Sequence, residues 1–153
     1  GDITHSRVAR SDTILFHKLG CEVRVCGPPT LIPWEFDRLG AKIYGRIDDA
    51  IADVDVIMML RLQHERQNEA FIPSTREYYN LYGLTRERMR KARKDTIVMH
   101  PGPMNRGVEI DSDVADADYS VILNQVANGV ATRMAVLYLL SGNAGLKLKR
   151  HSH

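Results

Sequence analysis

The sequence predicts an α/β chain: a three-layer sandwich with a mostly parallel central sheet flanked by helices. Three observations carry this. Residues 54–60 (VDVIMML) are almost continuously apolar, the pattern of a parallel strand covered on both faces. Shorter strand candidates at 21–26, 41–44 and 96–99 alternate with helical stretches, which implies βαβ units joined by right-handed crossovers. Two polar stretches, residues 61–66 (RLQHER) and 100–110 (HPGPMNRGVEI), each begin where a predicted strand ends. Open α/β sheets place their ligands at the carboxyl ends of the strands. The combination is Rossmann-like.

Residues 6–19 predict a helix with Val8, Leu15 and Leu19 on one face and Gly20 as its stop. Arg7 falls in its first turn, where a helix N-terminus favours an anion; read alone, it is more simply a solvated surface arginine. Residues 21–26 (CEVRVC) alternate and predict a strand, broken by Gly27-Pro28-Pro29. A short helix starting near Pro33, a weak strand at 41–44 and a short helix at 47–52 lead to the strongest strand, 54–60. If the chain stays extended beyond it, Arg61 and Gln63 point one way and Leu62 the other. A guanidinium fork suits a carboxylate through two bonds, and the amide beside it offers both a donor and an acceptor. Residues 64–73 lack a period and predict a long loop.

Ser74-Thr75-Arg76-Glu77 has capping-box spacing and predicts a helix ending near Gly83. Its Tyr78, Tyr79 and Tyr82 are read as packing residues, because no basic stripe accompanies them as a base-stacking platform would need. Thr85 caps a further helix through about Arg93, whose charges form a solvated face. Residues 96–99 then deliver the chain to a proline loop. Pro101 and Pro103 fix φ and carry no N–H, while Gly102 allows close backbone approach. That loop should be stiff and offer mainly carbonyls, with His100 and Arg106 at its ends. Residues 111–118 are acidic and predict a turn of helix; Asp111, Asp113, Asp116 and Asp118 lack the glycine and closing glutamate of a calcium loop. Residues 125–140 predict an amphipathic helix with Ala127, Val130, Ala131, Met134, Leu137 and Tyr138 on its apolar side. The glycine-rich, then basic tail is expected to be disordered, and its His151 and His153 lack acidic or Cys neighbours for a metal.

Composition narrows the classes. With 153 residues, 44% hydrophobic and 26% charged, the chain can bury a core and is not of the disordered type. A net charge of +2 leaves no nucleic-acid footprint. The apolar run at 134–140 is too short to span a bilayer, and no secretory signal is visible. Cys21 and Cys26, on one predicted strand, would face opposite ways and cannot pair; reduced, buried thiols and a cytoplasmic setting are expected. No G-x-G-x-x-G follows a strand, which disfavours a dinucleotide site. Gly1-Asp2 reads as the end of a strand-to-loop transition, so a truncation is expected there.

Four motifs occur in order: GDITHSRVARS at 1–11, MMLRLQHERQ at 58–67, HPGPMNRGVEI at 100–110 and QVANGVATRMAVL at 125–137. Together they resemble the aspartate carbamoyltransferase family, specifically its C-terminal, aspartate-binding half, over residues 1 to about 141. The resemblance implies transfer of the carbamoyl group of carbamoyl phosphate to L-aspartate in de novo pyrimidine biosynthesis. It implies no metal and no organic cofactor, and a homotrimer that can associate with regulatory chains or dihydroorotase. The layout it implies is an aspartate-binding domain at 1–124, a helix at 125–141 returning to a carbamoyl-phosphate domain, and the tail at 142–153. On the matching positions, Arg7, Arg61 and Gln63 bind L-aspartate. Pro101, Gly102 and Pro103 contact carbamoyl phosphate, Gly102 standing where the family often has leucine. Glu65, Arg66 and His100 position the loops.

The family's carbamoyl-phosphate motif, a Ser-Thr-Arg-Thr-Arg run, is not in this sequence. Half an active site is therefore expected: weak aspartate binding and no turnover by this chain alone. Ornithine carbamoyltransferase is the nearest rival within the fold, but its Asp-x-x-x-Ser-Met-Gly run and His-Cys-Leu-Pro loop are not found here. A catalytically inactive scaffold or binding domain of the same fold is the alternative from another class.

Overall fold

The computed structural model describes residues 1–62 and 74–141. Ser6 opens the first helix, α1 (Arg7–Lys18): its hydroxyl accepts from the Ala9 N–H at 3.1 Å, occupying one of the donors that a first turn leaves free. The predicted inner face of α1 is corrected. Val8 packs inward, but Leu15 and Leu19 are exposed, and Ala9 and Thr13, one turn apart, are buried in their place.

Strand β1 (Val23–Cys26) pairs in parallel with β2 (Ala41–Tyr44), Val23 opposite Ala41. Between them the short helix predicted near Pro33 is a pair of tight 3₁₀ turns, Pro29–Leu31 and Trp34–Leu39. Gly40 closes the second at φ +92°, and a Cβ there would meet the His17 ring at 2.4 Å, so glycine is needed for both conformation and space. After α2 (Ile47–Ala50), strand β3 (Val56–Met58) pairs in parallel with β4 (Ile97–Met99). The predicted single sheet is therefore hydrogen-bonded as two parallel pairs, β1–β2 and β3–β4.

The caps read from sequence hold: Ser74 Oγ accepts from Glu77 N–H at the head of α3 (Thr75–Tyr82), and Thr85 Oγ1 from Arg88 N–H at the head of α4 (Arg86–Met89). Helix α4 stops at Met89, short of Arg93. Tyr78 is buried with Leu31 and Leu62, its ring 5.5 Å from that of Tyr82, in agreement with a packing role. The acidic stretch forms one turn, α5 (Ser112–Ala115).

Adjacent strand residues show how the layers stack. Val25 packs with Ile3, Ala9 and Phe36, whereas Cys26 packs with Ile47 and Ile51. Likewise Ile57 and Met59 belong to the second group, Met58 and Leu60 to the first. Successive side chains of a strand point to opposite faces, so α1 covers one face of the strands, and α2 and α5 cover the other. This is the three-layer sandwich. The expectation of buried thiols is half corrected: Cys21 lies in the exposed turn before β1, and Cys26 is half-buried, both free. Burial pushes the Cys26 thiol above its usual range.

Helix α6 (Ile122–Leu140) starts three residues before the predicted 125, and only Ile122 on it is buried. Leu137 is 69% and Leu140 80% exposed, so the predicted apolar side is left largely exposed. Side chains without partners contribute little to folding. Leu137→Lys combined with Leu140→Lys is expected to change the unfolding free energy of this chain by less than about 0.5 kcal/mol, measured by urea denaturation; a larger loss would mean the helix is docked in solution. No helix among the described residues is long and apolar enough to cross a membrane.

Candidate functional site

Three segments meet at the carboxyl ends of the strands. The first is the turn leading into α1. Its Gly1 amine lies 3.4 Å from the Cys26 carbonyl, and a Cβ added to Gly1 would sit 2.5 Å from the Leu60 Cβ. The second, residues 60–62, leaves β3. The third is the proline loop after β4. It is tied to the second by Met59 N–H donating to the Met99 carbonyl (2.9 Å) and by the Asn105 amide donating to the Leu62 carbonyl (3.2 Å).

The first turn is locked from within. Asp2 is buried, and both its carboxylate oxygens lie 3.0 Å from His5 Nδ1, while Oδ1 also accepts the His5 backbone N–H. Ser6 N–H closes back onto the Ile3 carbonyl, and Thr4 N–H donates to Leu31. Arg7 follows as the first residue of α1, exposed, at the positive end of the helix dipole. Arg61 follows Leu60 and is half-buried, with Leu62 fully buried behind it. The inward Leu62 agrees with the extended reading of this stretch. Gln63, Glu65 and Arg66 lie outside the described residues.

The proline loop is braced from beneath. His100 is wholly buried; its N–H donates to Gln125 Oε1 at 2.9 Å, and its Nδ1 accepts from Gly102 N–H at 2.9 Å. That leaves the imidazole proton on Nε2, which faces Glu109 Oε1 at 3.4 Å. Glu109, also wholly buried, accepts the Asn105 N–H through the same oxygen. His100, Glu109, Asn105 and Leu62 thus form one chain of contacts linking the loop to the end of β3. Burial first, and then the Glu109 charge, push the Tyr78 phenol above its usual range. Gly102 holds φ +69° with open space where a side chain would project; Gly102 and Pro103 are exposed, and Pro101 is half-buried.

Arg106, at the far end of the loop, is engaged by Asp116 through two 2.7 Å bonds, which hold the Asp116 carboxyl below its usual range. One member of the acidic stretch is therefore an arginine's partner. Among the described residues no three His, Cys, Asp or Glu side chains gather as metal ligands would. Sequence reasoning passed over Asp2, His5, Asn105, Glu109 and Gln125. A local signal was the Asp2–His5 spacing of three residues just ahead of a helix cap. Asn105 and Glu109 lie four residues apart within the loop, whereas Gln125 and Leu62 reach it from segments distant in sequence.

Arg7 thus opens the helix after the first turn, Arg61 follows β3, and the proline loop has its shape fixed from below. The family model for aspartate/ornithine carbamoyltransferase, Asp/Orn binding domain, matches residues 1–140. The aspartate carbamoyltransferase catalytic subunit of Syntrophotalea carbinolica is 61% identical over 96% of this chain and 47% of its own length. That of Syntrophus aciditrophicus is 56% identical over 93% of this chain and 46% of its own. The chain thus spans about half the length of the curated relatives it matches. Among solved structures, the ornithine carbamoyltransferase of Pyrococcus furiosus superimposes with a TM-score of 0.75 at 28% identity, over 90% of this chain and 47% of that one. The ornithine transcarbamoylase of Giardia lamblia gives the same TM-score at 22% identity, over 95% of this chain and 50% of that one, and so shows the fold alone.

Proposed function

Because the chain belongs to the aspartate/ornithine carbamoyltransferase family, as its Asp/Orn-binding domain, we propose that it is the aspartate-binding half of an aspartate carbamoyltransferase. The observation that carries this is the convergence of the α1 mouth, the end of β3 and the proline loop on one rim. In the whole enzyme the amine of L-aspartate attacks the carbonyl of carbamoyl phosphate. A C–N bond forms, the bond to phosphate oxygen breaks, and the amine gives up a proton. This serves de novo pyrimidine biosynthesis and uses no metal or organic cofactor.

Arg7 and Arg61 hold the two carboxylates of aspartate, with Gln63 assisting. A forked guanidinium makes parallel charge-assisted bonds to a carboxylate, and two such groups repel the ammonium-bearing side chain of ornithine. Binding both carboxylates fixes the amine relative to the carbonyl, the positional advantage on which transfer depends. Carbonyls of Pro101 and Gly102 accept from the carbamoyl NH2 and the incoming amine, and Pro103 shapes the wall. His100 braces the loop rather than exchanging protons with substrate, since both its ring nitrogens face protein atoms. Glu65 and Arg66 order the loop that closes over aspartate.

The remainder of the enzyme, a carbamoyl-phosphate domain, supplies phosphate and oxyanion binding. Residues 1–124 are then the aspartate domain, and 125–141 the helix that this second domain covers. The exposed apolar side of α6 supports that assignment. The whole enzyme is a cytoplasmic homotrimer able to associate with regulatory chains or dihydroorotase.

The test uses two proteins: this chain alone, and this chain joined to the N-terminal half of the Syntrophotalea carbinolica relative. Alone, it should bind L-aspartate weakly by calorimetry and form no carbamoyl-aspartate. Joined, it should turn over aspartate in preference to ornithine. Turnover by the chain alone, or an ornithine preference in the joined enzyme, would overturn the proposal.

A further inference from the structure

Among the described residues, no backbone-to-backbone hydrogen bond holds residues 100–103. Pro101 and Pro103 have no N–H to give, so the stretch offers two backbone donors, His100 and Gly102. Side chains take both. Gln125 Oε1 accepts from His100 N–H at 2.9 Å, and His100 Nδ1 accepts from Gly102 N–H at 2.9 Å. Of the groups that fix this stretch, His100 and its contact Glu109 belong to the loop itself. Gln125 reaches it from α6, 25 residues along the chain.

Gln125 stands on the part of α6 that is bound to β4. Val98 N–H donates to the Tyr119 carbonyl and Val121 N–H to the Val98 carbonyl, each at 2.9 Å, so the chain entering α6 forms a parallel bridge beside β4. Ile122, in the first turn, is buried in the same core as Val98. Gln125 N–H then donates to the Val121 carbonyl at 2.8 Å. The strand that delivers the chain to the loop and the helical turn that bears Gln125 are thus tied together, and the Gln125 side chain is a strut from that unit to the loop.

The residue type suits the strut. A backbone N–H needs an oxygen, which settles the orientation of the amide. Its NH2 is left 3.6 Å from Met58 Sδ, a weak acceptor. Leucine is similar in size and in helix propensity, so neither packing nor α6 calls for an amide at this position. What the amide supplies is an acceptor for the N–H of wholly buried His100, a donor that is costly to leave unpaired.

We propose that Gln125 is a positioning residue for carbamoyl transfer: it sets where the carbonyls of Pro101 and Gly102 stand, and so how carbamoyl phosphate is held. It acts through His100 and does not touch substrate. The proposal rests on the reading of this loop as the carbamoyl-phosphate contact. Transfer depends steeply on placement, and a shift of about 1 Å costs about a hundredfold in rate.

The test uses the joined enzyme with Gln125→Leu and with Gln125→Glu. Leucine removes the acceptor. Glutamate keeps an oxygen at the same reach, and its charge is favourable near a helix N-terminus. The readouts are steady-state kinetics in both substrates and, without substrate, amide hydrogen exchange of Gly102 compared with amides of β4. Gln125→Leu should lower kcat/KM for carbamoyl phosphate about tenfold or more, while KM for L-aspartate, held by Arg7 and Arg61, moves less than about threefold. Exchange of the Gly102 amide should quicken about tenfold or more, with β4 unchanged. Gln125→Glu should recover most of the lost activity and the slow Gly102 exchange. This proposal and the aspartate reading fail separately. If the joined enzyme prefers ornithine, the aspartate reading falls and the carbamoyl-phosphate effect still decides the role of Gln125. If it turns over neither amino acid, Gly102 exchange decides it. Parent kinetics in Gln125→Leu, glutamate no better than leucine, unchanged Gly102 exchange, or faster exchange throughout β4 would each overturn the proposal, the last by making Gln125 a residue of general stability.

Discussion

Arg61→Ala, in an enzyme that carries this chain as its C-terminal half, is expected to raise KM for L-aspartate about a hundredfold or more, because removing one partner of a charge-assisted pair in a binding site costs about 3 kcal/mol. The geometry behind the expectation is local. Leu62 is fully buried, and in an extended stretch the residue before it, Arg61, faces the other way. Arg61→Lys keeps the charge but loses the fork, so it should recover only part of the affinity. Arg7→Ala should act in the same direction, since Arg7 is the other guanidinium at a strand exit. KM for carbamoyl phosphate should move far less than KM for aspartate in each variant. A variant in which both rise together would place Arg61 on the other substrate, and unchanged kinetics would remove it from the site. Thermal unfolding of each variant separates loss of binding from loss of fold.

What could be read from the sequence follows the range of the forces involved. Strand ends and helix caps are local. The nearly continuous apolar run at 54–60 implied a strand covered on both faces, and Ile57 and Met59 pack on one side while Met58 and Leu60 pack on the other. Ser74 and Thr85 were legible because a cap needs only a side-chain oxygen three residues before the N–H it accepts. The inner face of α1 was not. Leu15 and Leu19 are the larger apolar residues, yet the sheet takes the stripe bearing Ala9 and Thr13, whose small side chains contribute little to a hydrophobic pattern.

Pairing between strands is also beyond local reach. Nothing in 21–26 or 54–60 says that these two edges stay apart while each pairs with another strand. Candidate residues divide in the same way. Arg61 and His100 were singled out because each follows a strand, and Arg7 because it opens a helix. Asp2 and Glu109 were not, since a buried carboxylate is uncommon and the sequence pattern does not mark which carboxylates the fold will bury. The roles expected of Gln63, Glu65 and Arg66 fall outside the described residues.

Glu109 gives the second large effect. Its carboxylate is wholly buried, accepts the Asn105 N–H and faces His100 Nε2 at 3.4 Å. Glu109→Ala removes the acceptor for one buried donor and leaves another facing a void. Unpaired buried donors and the cavity together cost about 3 kcal/mol, which for a chain of this size lowers the melting temperature by about 6–12 °C. Glu109→Gln keeps an oxygen where Asn105 donates and nearly the same volume, so about 1 kcal/mol is expected. The two substitutions therefore separate a brace from a charge: if the charge itself were what mattered, Gln would be as damaging as Ala. The effect should also reach the rim. Without Glu109, Asn105 loses its anchor, and its amide no longer holds the Leu62 carbonyl next to Arg61. In the joined enzyme Glu109→Ala should then weaken aspartate binding measured well below the melting temperature, although Glu109 touches no substrate. An Ala variant that melts with the parent chain would show that the buried carboxylate holds nothing in place.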